Sequence, residues 1–287
     1  MRRNGWVPRS VTAGLLVLLG MAVPRTHMAR AEDASGWDGD ARSAARLLAG
    51  AQNSSGGTAL RAGIEIRLKS GWHTYWRYPG DAGVPPRFDF SGSQNLKNVE
   101  VLWPAPRRLD EAGLGTIGYD RDLILPLRVT AQDGRQPVTL QVKLGYAICE
   151  KLCVPAESNL TLSLKGGQSA QEARLAAAEV QVPQKTALGA EAPLAIRAVS
   201  RADATDRPRL LIDVTAPRSQ PVDLFAEGPT AEWSLPLPLP IDGAPSGQQR
   251  FALELDGAPP GSSFAGVDLS LTAVSGGNAI EVPFHLD

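Results

Sequence analysis

From residue 60 onward, apolar and polar positions fall in short alternating runs. Ala62-Gly63-Ile64-Glu65-Ile66-Arg67-Leu68 has the period of two that gives a strand one wet face and one dry face. Trp72 to Tyr78 is aromatic and strand-like and is ended by Pro79-Gly80. Val99–Trp103, Asp122–Thr130, Val138–Ile148 and Asn159–Leu164 read the same way, with turn signals such as Asp133-Gly134 between them. Pro85-Pro86, Pro104 and Pro106 suit edges rather than central strands, because proline cannot donate to the ladder. Six or seven short strands over about 110 residues predict an all-β immunoglobulin-like β-sandwich, although periodicity alone leaves other all-β folds open.

The flanking segments have different patterns. Asp40 to Ala49 places Ala, Arg and Leu at helical spacing and predicts one short helix, and Gln52 to Thr58 reads as loop. Ser169 to Val180 is rich in Ala, Glu and Gln and predicts a helix or ordered linker. Strand patterning resumes at Leu194–Val199, Arg209–Val214, Val222–Ala226, Arg250–Leu255, Val267–Val274 and Ile280–His285. Leu235-Pro236-Leu237-Pro238-Leu239-Pro240 must be extended; a loop braced across a sheet is favoured over a partner-binding segment. The expected organisation is a signal peptide (1–31), an N-terminal segment with a short helix (32–58) and an immunoglobulin-like domain (59–165). A short helical linker (166–193) and a second β-sandwich-like domain (194–287) follow.

The first thirty residues change the picture. Arg2, Arg3 and Arg9 precede an apolar run from Val11 to Val23, and Ala29-Arg30-Ala31 is a small-x-small cleavage site. This is the pattern of a secretory signal peptide cleaved after Ala31, and it predicts a periplasmic protein. The apolar run is shorter than a bilayer span requires. Cleavage would remove five Arg, all three Met and His27, leaving 24 basic against 30 acidic residues and only His73 and His285. The whole chain carries 29 basic and 30 acidic residues, so nothing draws it generally to nucleic acid.

Two cysteines exclude a disulfide-dense scaffold and any four-cysteine metal site. They lie in Tyr146-Ala147-Ile148-Cys149-Glu150-Lys151-Leu152-Cys153-Val154-Pro155, spaced C-x3-C at the end of a strand. A bridge between them closes so small a ring that chain entropy yields only about 2 kcal/mol. A loop-borne bridge is also easy to reach and reduce, so the spacing favours redox exchange over stapling. Lys151 favours a thiolate and Glu150 opposes it, which predicts no net direction for the thiol pKa. Trp72, His73, Tyr75, Trp76 and Tyr78 read as core and edge packing, with ligand stacking as the alternative. His73 reads as structural, with a place near the thiols as the sharper option. No G-x-S-x-G, P-loop or H-E-x-x-H occurs, and no cofactor, nucleotide or metal site is expected.

Several ordered motifs then coincide. They are Gly71-Trp72-His73-Thr74-Tyr75-Trp76 with Pro79-Gly80-Asp81, Trp103-Pro104, Gly115-Thr116-Ile117-Gly118-Tyr119 leading to Leu125-Pro126, and Tyr146 to Pro155. Residues 71–164 resemble the N-terminal periplasmic domain of the thiol–disulfide interchange protein DsbD. They are closer to the ScsB-type (suppressor of copper sensitivity) variants, which share the C-x3-C spacing. The resemblance implies an immunoglobulin-like domain whose Cys149 and Cys153 shuttle electrons as a protein-disulfide reductase component, with Tyr146 beside them. It places Asp110 and Glu111 near a loop that caps the disulfide. Ala112 and Leu114 stand where the family presents an aromatic cap, which implies either a less shielded pair or shielding by Leu114. It implies thioredoxin-fold periplasmic partners. No later apolar stretch approaches 18 residues, so it also implies a separate membrane electron donor. The competing expectations are a non-catalytic β-sandwich assembly module with a structural disulfide, and a copper-handling protein using Cys149, Cys153 and His73.

Overall fold

The computed structural model describes residues 33–52, 59–80, 83–111, 114–202, 208–217 and 220–287, together with Met1 and Gly5. The signal-peptide segment and residues 53–58 of the expected loop lie outside the described residues. Ala31–Asp287 forms one compact unit.

The chain is built almost entirely of strands. The first eleven are β1 (Asp38–Gly39), β2 (Ser43–Gln52), β3 (Ala59–Leu68), β4 (His73–Gly80), β5 (Arg87–Asp89), β6 (Leu96–Val101), β7 (Arg107–Glu111), β8 (Leu114–Tyr119), β9 (Leu123–Ala131), β10 (Val138–Cys149) and β11 (Cys153–Leu164). They form two sheets. One has the order β1-β2-β3-β9-β6; the other runs β11-β10-β4-β8-β7, with β5 added on β10. Helix α1 (Glu172–Val180) follows. The remaining strands are β12 (Gln184–Lys185), β13 (Ala195–Ala202), β14 (Arg209–Thr215), β15 (Asp223–Glu227), β16 (Leu239–Ile241), β17 (Gln248–Glu254), β18 (Val267–Ser275) and β19 (Asn278–Leu286). They form the sheets β12-β19-β18-β15 and β13-β14-β17-β16. The all-β expectation holds, and the alternating runs read from the sequence are the strands observed.

One expectation is corrected. Residues 43–52 are not a helix but β2, paired antiparallel to β3 with Ala45 opposite Ile66 and Leu47 opposite Ile64. Helix propensity separates residue types by only a few tenths of a kcal/mol. Pairing buries Ala44, Ala45, Leu47 and Leu48 almost completely and occupies the edge of β3, which outweighs it. The predicted helix at 169–180 is α1. Its Leu175 is fully buried and seats against Gly50 and Gly63, where a Cβ would lie 2.9 and 2.6 Å from its methyl carbons. The missing side chains make the notch that receives the helix.

Both sandwiches share a continuous apolar core. Trp76 of β4 meets Phe225 of β15 at 5.9 Å between ring centroids, and both are fully buried. Residues 235–238 of the proline-alternating segment are a braced loop, and Leu239 and Pro240 continue it as the edge strand β16. Leu235 is buried, its N–H donates to the Tyr78 hydroxyl, and the Pro238 carbonyl accepts from Arg108 at 2.9 Å.

Candidate active site

The site is the turn end of the β10–β11 hairpin. The two strands run in register from Val138↔Leu164 to Cys149↔Cys153, so the cysteines are the last cross-strand pair before the turn. Facing side chains at that position are close enough to bridge, and Cys149 and Cys153 form a disulfide. The period of two then sorts β10. Tyr146 and Ile148 point into the main core, whereas Cys149 and Ala147 pack on the other face with Tyr75 in a small cluster of their own.

The two sulfurs have unequal surroundings. Cys149 is 2% exposed, whereas Cys153 is an exposed residue. The register places β4 against the end of β10, with Ile148 opposite Thr74 and Cys149 opposite His73. Thr74 Oγ1 donates to the Ala147 carbonyl at 2.8 Å and fixes that pairing. Tyr75, 1% exposed, places its hydroxyl 2.8 Å from Cys149 Sγ and 3.2 Å from Cys153 Sγ. Bridged sulfurs carry no hydrogen, so the single phenol O–H is the donor, shared between the nearer Cys149 Sγ and Cys153 Sγ. The His73 ring stands edge-on to Tyr75 at 5.7 Å. Gly71, at φ +86°, turns the chain into β4 in a backbone conformation that side-chain-bearing residues rarely adopt. Leu152, in the turn between the cysteines, is 79% exposed.

The other expected site residues scatter. Tyr146 is adjacent in sequence to the redox strand end but lies on the opposite face from Cys149. Its buried hydroxyl sits 2.6 Å from Ser43 Oγ, and burial pushes its phenol pKa up. It therefore supports the fold behind the disulfide and does not touch the sulfurs. Asp110 and Glu111 end β7, and Leu114 begins β8. Glu111 pairs with Leu114, so all three lie at the tip of a hairpin in the disulfide's sheet. The hairpin itself was not expected from strand patterning. Tyr75, by contrast, is the residue that contacts both sulfurs, and sequence reasoning assigned it to packing. The available signal was its i+2 spacing from His73 on a strand that could pair with 146–149.

Among the described residues, no group of three His, Cys, Asp or Glu side chains could hold a metal ion. A cavity of about 730 Å³ lies away from the disulfide, among residues such as Pro106, Arg107, Asp122, Ala178 and Val274. The cysteine pair itself lies at the turn end of its hairpin, with β4 alongside Cys149.

Residues 44–165 match the family model of the thiol:disulfide interchange protein DsbD, N-terminal. That segment contains the whole disulfide hairpin, β4 and the β7–β8 hairpin, so the DsbD resemblance read from the motifs is shown. Among solved structures, the chain is similar to the crystal structure of the N-terminal periplasmic domain of ScsB from Proteus mirabilis. The TM-score is 0.69 at 22% identity, covering 88% of this chain and 98% of that one. The shared fold thus extends beyond the DsbD segment into the second pair of sheets. No curated protein matches the sequence. Among the described residues, no helix is long and apolar enough to cross a membrane.

Proposed function

We propose that this protein is a periplasmic thiol–disulfide exchange module that passes electrons from a membrane reductase to thioredoxin-fold proteins through Cys149 and Cys153. The observation that carries the reading is the asymmetry of the bridge. Cys153 is an exposed residue, and Cys149 is buried with its sulfur 2.8 Å from a hydrogen-bond donor. The DsbD match over the same residues and the ScsB fold support it.

The chemistry follows from that asymmetry. A donor thiolate attacks Sγ of Cys153, the exposed residue of the pair. A new S–S bond forms to the donor, and the Cys149–Cys153 bond breaks with its electron pair leaving on Cys149. Tyr75 stabilises that developing thiolate with its 2.8 Å hydrogen bond. The donor's second thiolate then attacks its own sulfur in the mixed disulfide. Cys153 is released as a thiolate and the donor leaves oxidised. In the delivery step, Cys153 attacks an oxidised partner's disulfide. Cys149, as thiolate, resolves the mixed disulfide by attacking Cys153 Sγ, and the partner leaves with both thiols reduced. The exposed Leu152 beside Cys153 gives an approaching partner an apolar contact. Export through the 1–31 signal segment would put the pair where disulfides persist.

Two measurements test the reading. The reduction potential, taken against a glutathione series, is expected above that of structural bridges; a pair still oxidised below about −300 mV is a staple and ends the proposal. Cys149→Ser leaves the exposed thiol and is expected to trap a mixed disulfide with a thioredoxin-fold protein in periplasmic extract. Cys153→Ser leaves only the buried thiol and is expected to trap little. Equal trapping by both variants contradicts the assigned order of attack.

A further inference from the structure

Tyr75 does not stand alone on β4. The three residues after it, Trp76, Arg77 and Tyr78, all engage the second sandwich. Trp76 packs on Phe225. Arg77 forks onto Glu227 of β15, with Nε and Nη2 donating at 2.8 and 2.7 Å, and Nη2 also reaches Glu281 of β19. Its guanidinium also lies over the Trp76 ring, 4.6 Å from the centroid. Tyr78 is 7% exposed and shares its hydroxyl with the main chain of Leu235. Burial disfavours the Arg77 charge, yet the hydrogen bonds and charges of Glu227 and Glu281 more than offset it and raise its pKa. A bidentate, half-buried guanidinium fixes direction as well as distance.

We propose that the second sandwich is a clamp on β4, and that Arg77 and Tyr78 are positioning residues that hold the Tyr75 hydroxyl on the sulfurs. This rests on the exchange reading and deepens it by giving the second sandwich a role in the reactivity of the bridge. Tyr75 is separated from Arg77 by one residue, and the irregular register between Tyr75 and Gly80 leaves this stretch without a regular ladder to β8. Contacts from the second sandwich therefore fix a piece of backbone that its own sheet does not. A small displacement there moves a hydrogen-bond donor off the leaving sulfur, and displacements of that kind cost large factors in rate.

The test is a double-mutant cycle on the whole chain. The clamp variant carries Glu227→Ala and Tyr78→Phe. Arg77 keeps Glu281, so no buried guanidinium is stranded. It is compared with Tyr75→Phe and with the combination of all three changes. The readouts are the rate of disulfide reduction by excess dithiothreitol and the melting temperature. The clamp variant and Tyr75→Phe are each expected to slow reduction about tenfold, with the combination no slower than Tyr75→Phe alone. Reduction of the clamp variant at the parent rate overturns the proposal, and so does a combination whose slowing is the product of the two. Glu227→Gln, which preserves side-chain volume, repeats the cycle should the clamp variant not fold. Dithiothreitol reduces structural and exchanging bridges alike. Failure of the cycle is therefore distinct from failure of the exchange reading, which the glutathione series decides on the parent chain.

Discussion

The proposed exchange turns on three side chains, two cysteines and the tyrosine that contacts both sulfurs. The cysteines were legible because their spacing and their place after an apolar strand carry information within one segment. The tyrosine was not, because Tyr75 and Cys149 are 74 positions apart and meet only when β4 pairs with the end of β10. Tyr75→Phe preserves the packing and removes one hydrogen bond to a sulfur that becomes charged on reduction. Such a bond is worth about 1.5–3 kcal/mol. Its loss destabilises the reduced form, so the reduction potential is expected to fall by about 30–60 mV, read by equilibration with glutathione. An unchanged potential means that the hydroxyl does not meet the Cys149 thiolate. Tyr146 shows the converse error. Three positions from Cys149 places it near in sequence, but an odd offset on a strand places it on the opposite face.

At the scale of elements, β2, β3 and α1 form a charged and apolar layer behind the site. Glu65 on β3 accepts from Arg46 of β2 at 2.7 Å and from Arg174 of α1. Burial alone would raise its pKa, but the hydrogen bonds from Arg174 and Arg46 prevail and lower it. A carboxylate depressed in the folded state stabilises the fold above its unfolded pKa, and that contribution is lost as pH falls through the folded value. The melting-temperature gap between the parent and Glu65→Gln is therefore expected to be widest near neutrality and to close below about pH 4. A gap independent of pH contradicts the ionic account. Leu175 is the apolar counterpart. Leu175→Ala empties the Gly50–Gly63 notch and is expected to cost about 2–5 kcal/mol in chemical denaturation, with the exchange rate unchanged. The predicted helix over 40–49 failed because its Ala- and Leu-rich segment satisfies both patterns. A waiting strand edge settled the choice, and no local preference could.

Over the whole molecule, the two sandwiches share one core and the Arg77, Tyr78 and Arg108 contacts join them. A single cooperative transition is expected in calorimetry of residues 33–287, with calorimetric and van't Hoff enthalpies equal. Two separated transitions contradict a shared core. Residues 33–165 expressed alone would expose Trp76 and strand Arg77 without its carboxylates, and are expected to melt well below the longer chain. The alternation of apolar residues determined that this chain is all-β, and an Ala-, Glu- and Gln-rich composition marked a helix or ordered linker over 169–180. The C-x3-C segment determined where the proposed exchange sits, because a strand's period and a hairpin's closure are local properties. Only the tertiary structure decided which cysteine is exposed, which phenol reaches both sulfurs, and that the second sandwich contacts the strand carrying that phenol. Those facts depend on strand pairing and on packing between sheets. Both arise from contacts between residues far apart in sequence, and no window along the chain contains them.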